Sequence, residues 1–265
     1  MKILVTVKEV AEAEDEFEID GLEIDDRYLE YDLNEWDDYA IEEAVQIGED
    51  GDDVEVVSVT IGPERAEETV RMGLAKGVDR AIRVWDDTIA GTDDLDVAAK
   101  AEILASVVEA EDPDVVFSGV QANDDTFGAT GVALAERVGF EWAAVVNHLD
   151  QGSLSEGTAS VRRELEGGVE ELTDVELPAV LTIQTGINEP RYASLRGIRQ
   201  AQSKPLDVQG LEDLGLDADV VESPVERTAV FEPETESDVV TFDGDANEEA
   251  AQLAEMLRDK GVVEG

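Results

Sequence analysis

The chain has no cysteine and a single histidine, His148. Without cysteine there can be no disulfide, thiolate nucleophile, iron–sulfur cluster or thiolate zinc site. His148 lies in Val145-Val146-Asn147-His148-Leu149, which reads as a strand end, so a solvated or structural side chain is expected there. Any Ser–His–Asp mechanism would need that one residue, and no nucleophile-elbow motif accompanies it. Long apolar runs are also missing. The stretch Ile3 to Val7 is too short for a signal segment, and nothing approaches a membrane span. A soluble, cytoplasmic chain with no direct membrane insertion is the expectation.

Positive charge is scarce as well. Lysine and arginine together number 19 against 67 aspartates and glutamates, a net charge of −48. Only 6 of the basic residues are lysines. Self-repulsion on this scale opposes a compact state in dilute buffer. In molar salt the screening length falls to about 3 Å and most of that repulsion is lost. The acidity runs from Glu9 to Glu264 instead of forming one patch, as expected of a protein adapted to a high-salt cytoplasm. A field this negative also argues against nucleic-acid binding.

What is present is a core. Hydrophobic residues make up 42% of the chain. The first two-thirds alternates strand-like and helix-like segments. Ile3–Val7, Val54–Ile61, Asp79–Val84, Asp114–Ser118, Ala143–Leu149 and Pro178–Ile183 read as strands. Asn34 offers a helix N-cap with Asp37 at N3, and Ile41, Ala44, Val45 and Gly48 then share a face. Gly62-Pro63 opens a second helix that Gly77 ends. Leu95–Glu109 and Gly128–Val138 read as two more. Strands separated by helices in this way call for βαβ units and a doubly wound, mostly parallel α/β sheet. Gly167-Gly168 between alternating runs signals a hairpin. Residues 1–205 are therefore expected to form the α/β domain, and 206–265 an arm ending in an amphipathic helix over Asn247–Arg258.

In such a sheet, ligands bind at the carboxyl ends of strands where the strand order reverses. Three strand ends carry suitable loops: Thr6-Val7-Lys8, Thr60-Ile61-Gly62-Pro63, and the long stretch from Gly119 to Gly131. The last has three glycines and small hydroxyl residues before a helix, a composition that lets backbone N–H groups approach a phosphate. It is neither a GxGxxG nor a Walker loop, and a plain glycine-rich turn is the alternative. Asp124-Asp125 would oppose a phosphate unless they point away or hold ribose hydroxyls. A second feature is Pro190 to Leu206, which contains no acid but holds Arg191, Arg196, Arg199 and Lys204. It reads either as a helix packed under the arm or as a docking surface kept free of repulsion. No metal site is expected. Asp243-Gly244-Asp245 begins like an EF-hand loop, but Glu248 and Ala254 stand where Gly and Glu are needed. Asp93-Asp94 with Asp96 reads as a helix-start cluster.

Together these segments resemble the β subunit of electron-transfer flavoproteins. Four strings in the family's order carry the resemblance. They are Asp32-Leu33-Asn34 running into Asp38-Tyr39-Ala40-Ile41-Glu42-Glu43-Ala44; the Gly119–Gly131 loop; Arg163-Glu164-Leu165-Glu166-Gly167-Gly168 leading to Leu177-Pro178-Ala179-Val180-Leu181-Thr182; and Asn188-Glu189-Pro190-Arg191-Tyr192-Ala193-Ser194-Leu195. The resemblance implies a Rossmann-like, adenine-nucleotide-binding fold and an electron carrier, not an enzyme. Electrons would pass from acyl-CoA dehydrogenases or related flavoenzymes to a quinone oxidoreductase. FAD would be shared with an α subunit, and AMP would sit in this chain. By resemblance the nucleotide would contact Thr6, Asn34, Glu35, Trp36, Asp37, Ile61 and the loop of Gly119, Val120, Gln121, Ala122, Asn123, Asp124, Asp125, Thr126, Phe127, Gly128, Ala129 and Thr130. Glu189, Pro190, Arg191, Tyr192, Leu195 and Arg196 would meet dehydrogenase partners, with Leu195 as the apolar anchor between Arg191 and Arg196. The arm would embrace the α subunit. Glu35-Trp36 departs from the family's Pro and Phe or Tyr. Ala90-Gly91-Thr92-Asp93 resembles the bifurcating branch, which uses NADH and a second FAD instead of AMP, but the loop lacks that branch's Asp-Gly-Asp-Thr. An ATP-binding sensor or stress protein with a similar sheet is the alternative of another class.

Overall fold

A computed structural model describes residues 1–51, 53–92, 94–232 and 239–262. Ile3, Leu4 and Val5 are fully buried in β1 (Lys2–Thr6), as an unbroken apolar run requires of a strand covered on both faces. Two small antiparallel pairs follow it: β2 (Glu9–Ala13) with β5 (Leu29–Leu33), and β3 (Ile19–Asp20) with β4 (Glu23–Ile24). Next come α1 (Glu35–Asp50), β6 (Glu55–Ile61), α2 (Glu67–Lys76), β7 (Arg80–Val84) and α3 (Asp87–Ala90). The chain continues through α4 (Val97–Glu111), β8 (Val115–Gly119), α5 (Thr130–Val138) and β9 (Glu141–Asp150). After these are β10 (Thr158–Leu165), β11 (Val169–Glu176), β12 (Ala179–Ile183), α6 (Leu195–Ala201), β13 (Leu206–Gln209) and α7 (Ala246–Asp259).

Nine strands form one sheet in the order β11-β10-β9-β12-β8-β1-β6-β7-β13. It is parallel from β9 to β13, and only β10 and β11 run antiparallel at one edge. This is the doubly wound α/β architecture that the alternation of strands and helices calls for. Ile3, Val5, Phe117 and Leu181 pack under α1 and α2 on one face. On the other, Leu4, Val59, Val116 and Val180 pack under α4 and α5. After β7 the chain crosses back over β1 to make β8, so the strand order reverses between β1 and β8. A crevice opens there because the flanking connections leave in opposite directions.

The β10–β11 hairpin turns at Gly167 and Gly168, with φ of +79° and +74°. Leu165 pairs with Val169, so the loop is Glu166-Gly167-Gly168, and its two glycines take the left-handed region without steric cost. Helix α4 starts two residues later than Leu95. The carboxylate of Asp96 accepts from the N–H of Ala99 at 2.8 Å and so takes the N-cap. Asp94 instead pairs with Arg227, and Asp93 lies outside the described residues.

Regular structure continues past residue 205. Leu206–Gln209 joins the sheet edge beside β7, and Leu211 and Val221 bury their side chains in the cluster that holds Ile82 and the α4 residues Ile103 and Leu104. One compact unit spans Met1–Thr228 and a second spans Ala229–Gly265. In the second, the EF-hand-like string is a helix start. Asp245 accepts from the N–H groups of Asn247 and Glu248, and Glu248 reaches back to the N–H of Asp245, the reciprocal cap of α7. Part of the expected arm, 233–238, lies outside the described residues. Among the described residues no acidic or histidine cluster could hold a metal ion. No described helix is long and apolar enough to cross a membrane.

Candidate functional site: a crevice at the switch point

The crevice has about 700 Å³ of empty space, partly open to solvent. Thr6, Val7 and Lys8 from the end of β1, Val59 and Ile61 from β6, and Ser118 and Gly119 from β8 form its floor and walls. Leu95, Lys100 and Leu104 close one side, and the Gly119–Thr130 loop closes the other. The first turn of α1 ties these pieces together. Asn34 stands at the N-cap position of α1, but its side chain does not cap the helix. It donates to the carbonyl of Gln121 at 2.9 Å and accepts from the N–H of Asn123, so the nucleotide-type loop has drawn it away from the helix. Asp37 does the same for two strand ends, accepting from the N–H of Lys8 at 2.8 Å and of Gly119 at 3.0 Å. Gly119 must be glycine, because a Cβ there would lie 2.4 Å from Asp37 Oδ1.

The loop's two acids do not face the crevice as free negative charges. Lys8 Nζ donates to Asp124 and Asp125, and Lys100 Nζ donates to Asp125 at 2.7 Å. Burial alone would raise the carboxyl of Asp125, but the ammonium groups of Lys100 and Lys8 outweigh it and hold the group down at about 2. Asp37 behaves oppositely. Burial pushes it up to about 7, against the N–H of Lys8, the side chain of Asn34 and the N–H of Gly119. Helix α5 begins at Thr130 with Ala129 at its N-cap, a residue with no side-chain acceptor to offer. Its first N–H groups and its positive dipole end therefore stand uncapped beside Gly128 and Thr130 on the crevice wall. An anionic group is the natural partner for that end, and the apolar wall of Val59, Ile61, Leu95 and Leu104 suits a flat ring.

Of the residues expected at the site, Thr6, Asn34, Asp37, Ile61, Gly119, Val120, Gln121, Ala122, Asp125, Gly128, Ala129 and Thr130 line the crevice. Glu35 is exposed, and Trp36 turns away to donate from Nε1 to Gln184 at 3.0 Å. Asn123, Asp124, Thr126 and Phe127 lie on the loop's outer side, with Phe127 exposed beside Lys100. Sequence reasoning missed Lys100, which reaches the loop from α4. A lysine in the mostly apolar run Val97 to Ala105, in a chain with so few, was the available signal.

The acid-free stretch is brought together as a projecting segment. Tyr192 and Leu195 are 98% and 78% exposed, and Arg196 and Arg199 are exposed on α6. Glu189 is exposed and Pro190 half-buried. Arg191 is not a free cation, because Glu42 and Glu49 of α1 both accept from its guanidinium. His148 is exposed on β9, away from the crevice.

A profile of the electron transfer flavoprotein domain matches residues 21–214. The electron transfer flavoprotein subunit beta of Methylophilus methylotrophus is 45% identical over 265 residues, covering 98% of each chain. The mitochondrial subunit beta of Arabidopsis thaliana is 37% identical over 88% of this chain and 90% of its own. That of Bacillus subtilis is 32% identical over 99% of this chain and 100% of its own. The chain belongs to the electron transfer flavoprotein family, on its beta-subunit side.

Proposed function

We propose that this chain is the nucleotide-holding subunit of a heterodimeric electron carrier working in a high-salt cytoplasm. It passes electrons from acyl-CoA dehydrogenases or other flavoenzymes to a quinone oxidoreductase. An α subunit is its partner and holds most of a shared FAD, which supplies the redox chemistry when bound. The protein's own task is position and electrostatics. The observation that carries the reading is the crevice at the β1–β8 switch point, roofed by the Gly119–Thr130 loop. Its fit to AMP rests on three features. The uncapped start of α5 offers N–H groups to a phosphate, Lys8 and Lys100 neutralise the loop's acids, and the aliphatic wall offers a surface to a base. The segment from Tyr192 to Arg196 is the dehydrogenase contact, and the chain beyond Ala229 is the arm for the α subunit.

The test is the nucleotide content of the complex, purified with its partner in molar salt, denatured and separated. FAD and AMP in equal amounts are expected. Two FAD per complex and no AMP would replace this reading with a bifurcating carrier, and a self-associated, ATP-loaded, flavin-free chain would replace it with a sensor. A further expectation concerns the docking segment. Leu195→Ala should slow flavin reduction by a dehydrogenase about ten-fold or more, as loss of an exposed apolar anchor does at protein interfaces. Unchanged reduction kinetics would remove the docking assignment.

A further inference from the structure

We propose that Arg191 is a positioning residue, and that its double clamp on Glu42 and Glu49 of α1 holds the Tyr192–Leu195 docking segment in its projecting conformation. The inference rests on the docking reading above and assigns Arg191 a task different from touching the partner. Its donors are already committed. The Arg191 backbone N–H and Nε both donate to Glu42 Oε2, at 3.1 and 2.7 Å, and Nη2 donates to Glu42 Oε1 at 3.0 Å. Nη1 and Nη2 also donate to the two carboxylate oxygens of Glu49, at 2.6 and 2.9 Å. The planar guanidinium fork matches both carboxylates at once, a geometry that an ammonium cannot reproduce. Glu42 is only 4% exposed, so without its partner it would be a stranded buried charge.

The neighbouring chain is held in the same manner. Asn188 Nδ2 donates to the carbonyl of Tyr39 and to Glu43 on α1. On the far side, α6 lies against α2 so closely that a Cβ on Gly197 would meet the carbonyl oxygen of Ala75 at 2.3 Å. Arg71 of α2 donates to the carbonyls of Ala201 and Lys204, and Lys204 Nζ donates to those of Leu74, Gly77 and Val78. The chain between Arg191 and Gly197 is thus a short arch with both feet fixed. Its only strongly exposed apolar and aromatic side chains are Leu195 and Tyr192. Ordering the arch in advance lowers the entropy cost of docking. Releasing the Arg191 foot would leave three glutamates of α1 facing the loop with no cation and free the arch to move.

The experiment measures the affinity of the intact two-subunit complex for an acyl-CoA dehydrogenase in molar salt. Melting temperature and bound-nucleotide content confirm that each variant is assembled. Arg191→Ala should weaken binding about ten-fold, and Glu42→Gln comparably, although Glu42 is buried away from any partner. The double variant should bind no more weakly than Arg191→Ala alone, because both changes break one clamp. Arg191→Lys should restore part of the affinity. Should Glu42→Gln fail to assemble, Glu49→Gln takes its place, with a smaller weakening expected. Effects of Arg191→Ala and Glu42→Gln that multiply would assign Arg191 to direct contact and overturn the proposal, as would full affinity in both. If Leu195→Ala weakens binding while Arg191→Ala does not, this inference alone fails. If neither does, the docking reading itself has failed.

Discussion

Moved from molar salt to ~50 mM salt, the protein is expected to unfold or dissociate from its partner, because the screening length then exceeds the spacing of its surface acids. The net charge of −48 leaves most carboxylates without a cation. The cations that exist are largely committed at specific places. Arg80 bridges Glu55 and Glu111 at the amino ends of β6 and β7, Lys2 joins the same group, Lys76 holds Asp38, and Arg191 holds Glu42 and Glu49. These partly buried pairs are too few to offset repulsion among dozens of unpaired acids, and burial itself takes back much of what each pair gains. Added salt reduces that repulsion more than it weakens the half-buried pairs. Circular dichroism and native mass across a salt series provide the measurement, with loss of helix signal or of the complex at low salt as the expected outcome. Unchanged spectra and mass at ~50 mM would show that packing alone holds the fold.

Replacing Asp37 by Asn should cost about 1–3 kcal/mol, because one of the two backbone N–H groups that share the carboxylate would then face an amide NH2. The cost should depend on pH in a definite direction. Burial raises Asp37 to about 7 from an ordinary value of 3.8. Between those values the folded chain binds a proton that the unfolded chain has released. The stability contributed by protonated Asp37 is therefore complete below the ordinary carboxylate range and fades as pH rises through about 7. Asparagine does not titrate. The advantage of the natural residue over Asn, largest at low pH, should accordingly shrink with rising pH by roughly 1.4 kcal/mol per unit at most, enough to erase or reverse it by about pH 7. Urea unfolding of both proteins in molar salt, at pH values below and above this window, measures the gap. A gap that stays constant would mean that the N–H groups of Lys8 and Gly119 keep Asp37 ionised throughout.

The alternation of apolar strands with helices was readable from composition and spacing, and the parallel sheet follows from it. The Gly119–Gly131 loop was readable for the same reason. Glycines before a helix report on the backbone locally, and the close approach of Gly119 to Asp37 is the packing behind one of them. The β2–β5 ribbon was not read, since Glu9–Ala13 is mostly small or acidic and the alternating Leu29–Leu33 finds its partner only by pairing with it across 16 or more residues. The edge strand Leu206–Gln209 was missed similarly, because four residues carry too little pattern and only the unpaired edge of β7 gives them a partner.

The sequence by itself determined the charge, the absence of thiols and of long apolar runs, the fold class and the family, because these depend on composition and on order along the chain. Only the tertiary structure decided what individual polar side chains do. Asn34 looked like a helix cap and instead holds the loop, Asp124 and Asp125 looked hostile to an anion and are neutralised by Lys8 and Lys100, and Arg191 looked like a free docking charge and is clamped to α1. The physical reason is common to all three. A charged or amide side chain takes whichever partner lies within hydrogen-bond reach, and those partners are 87 to 149 residues away in sequence for Asn34, Lys8 and Arg191. Folding sets these distances.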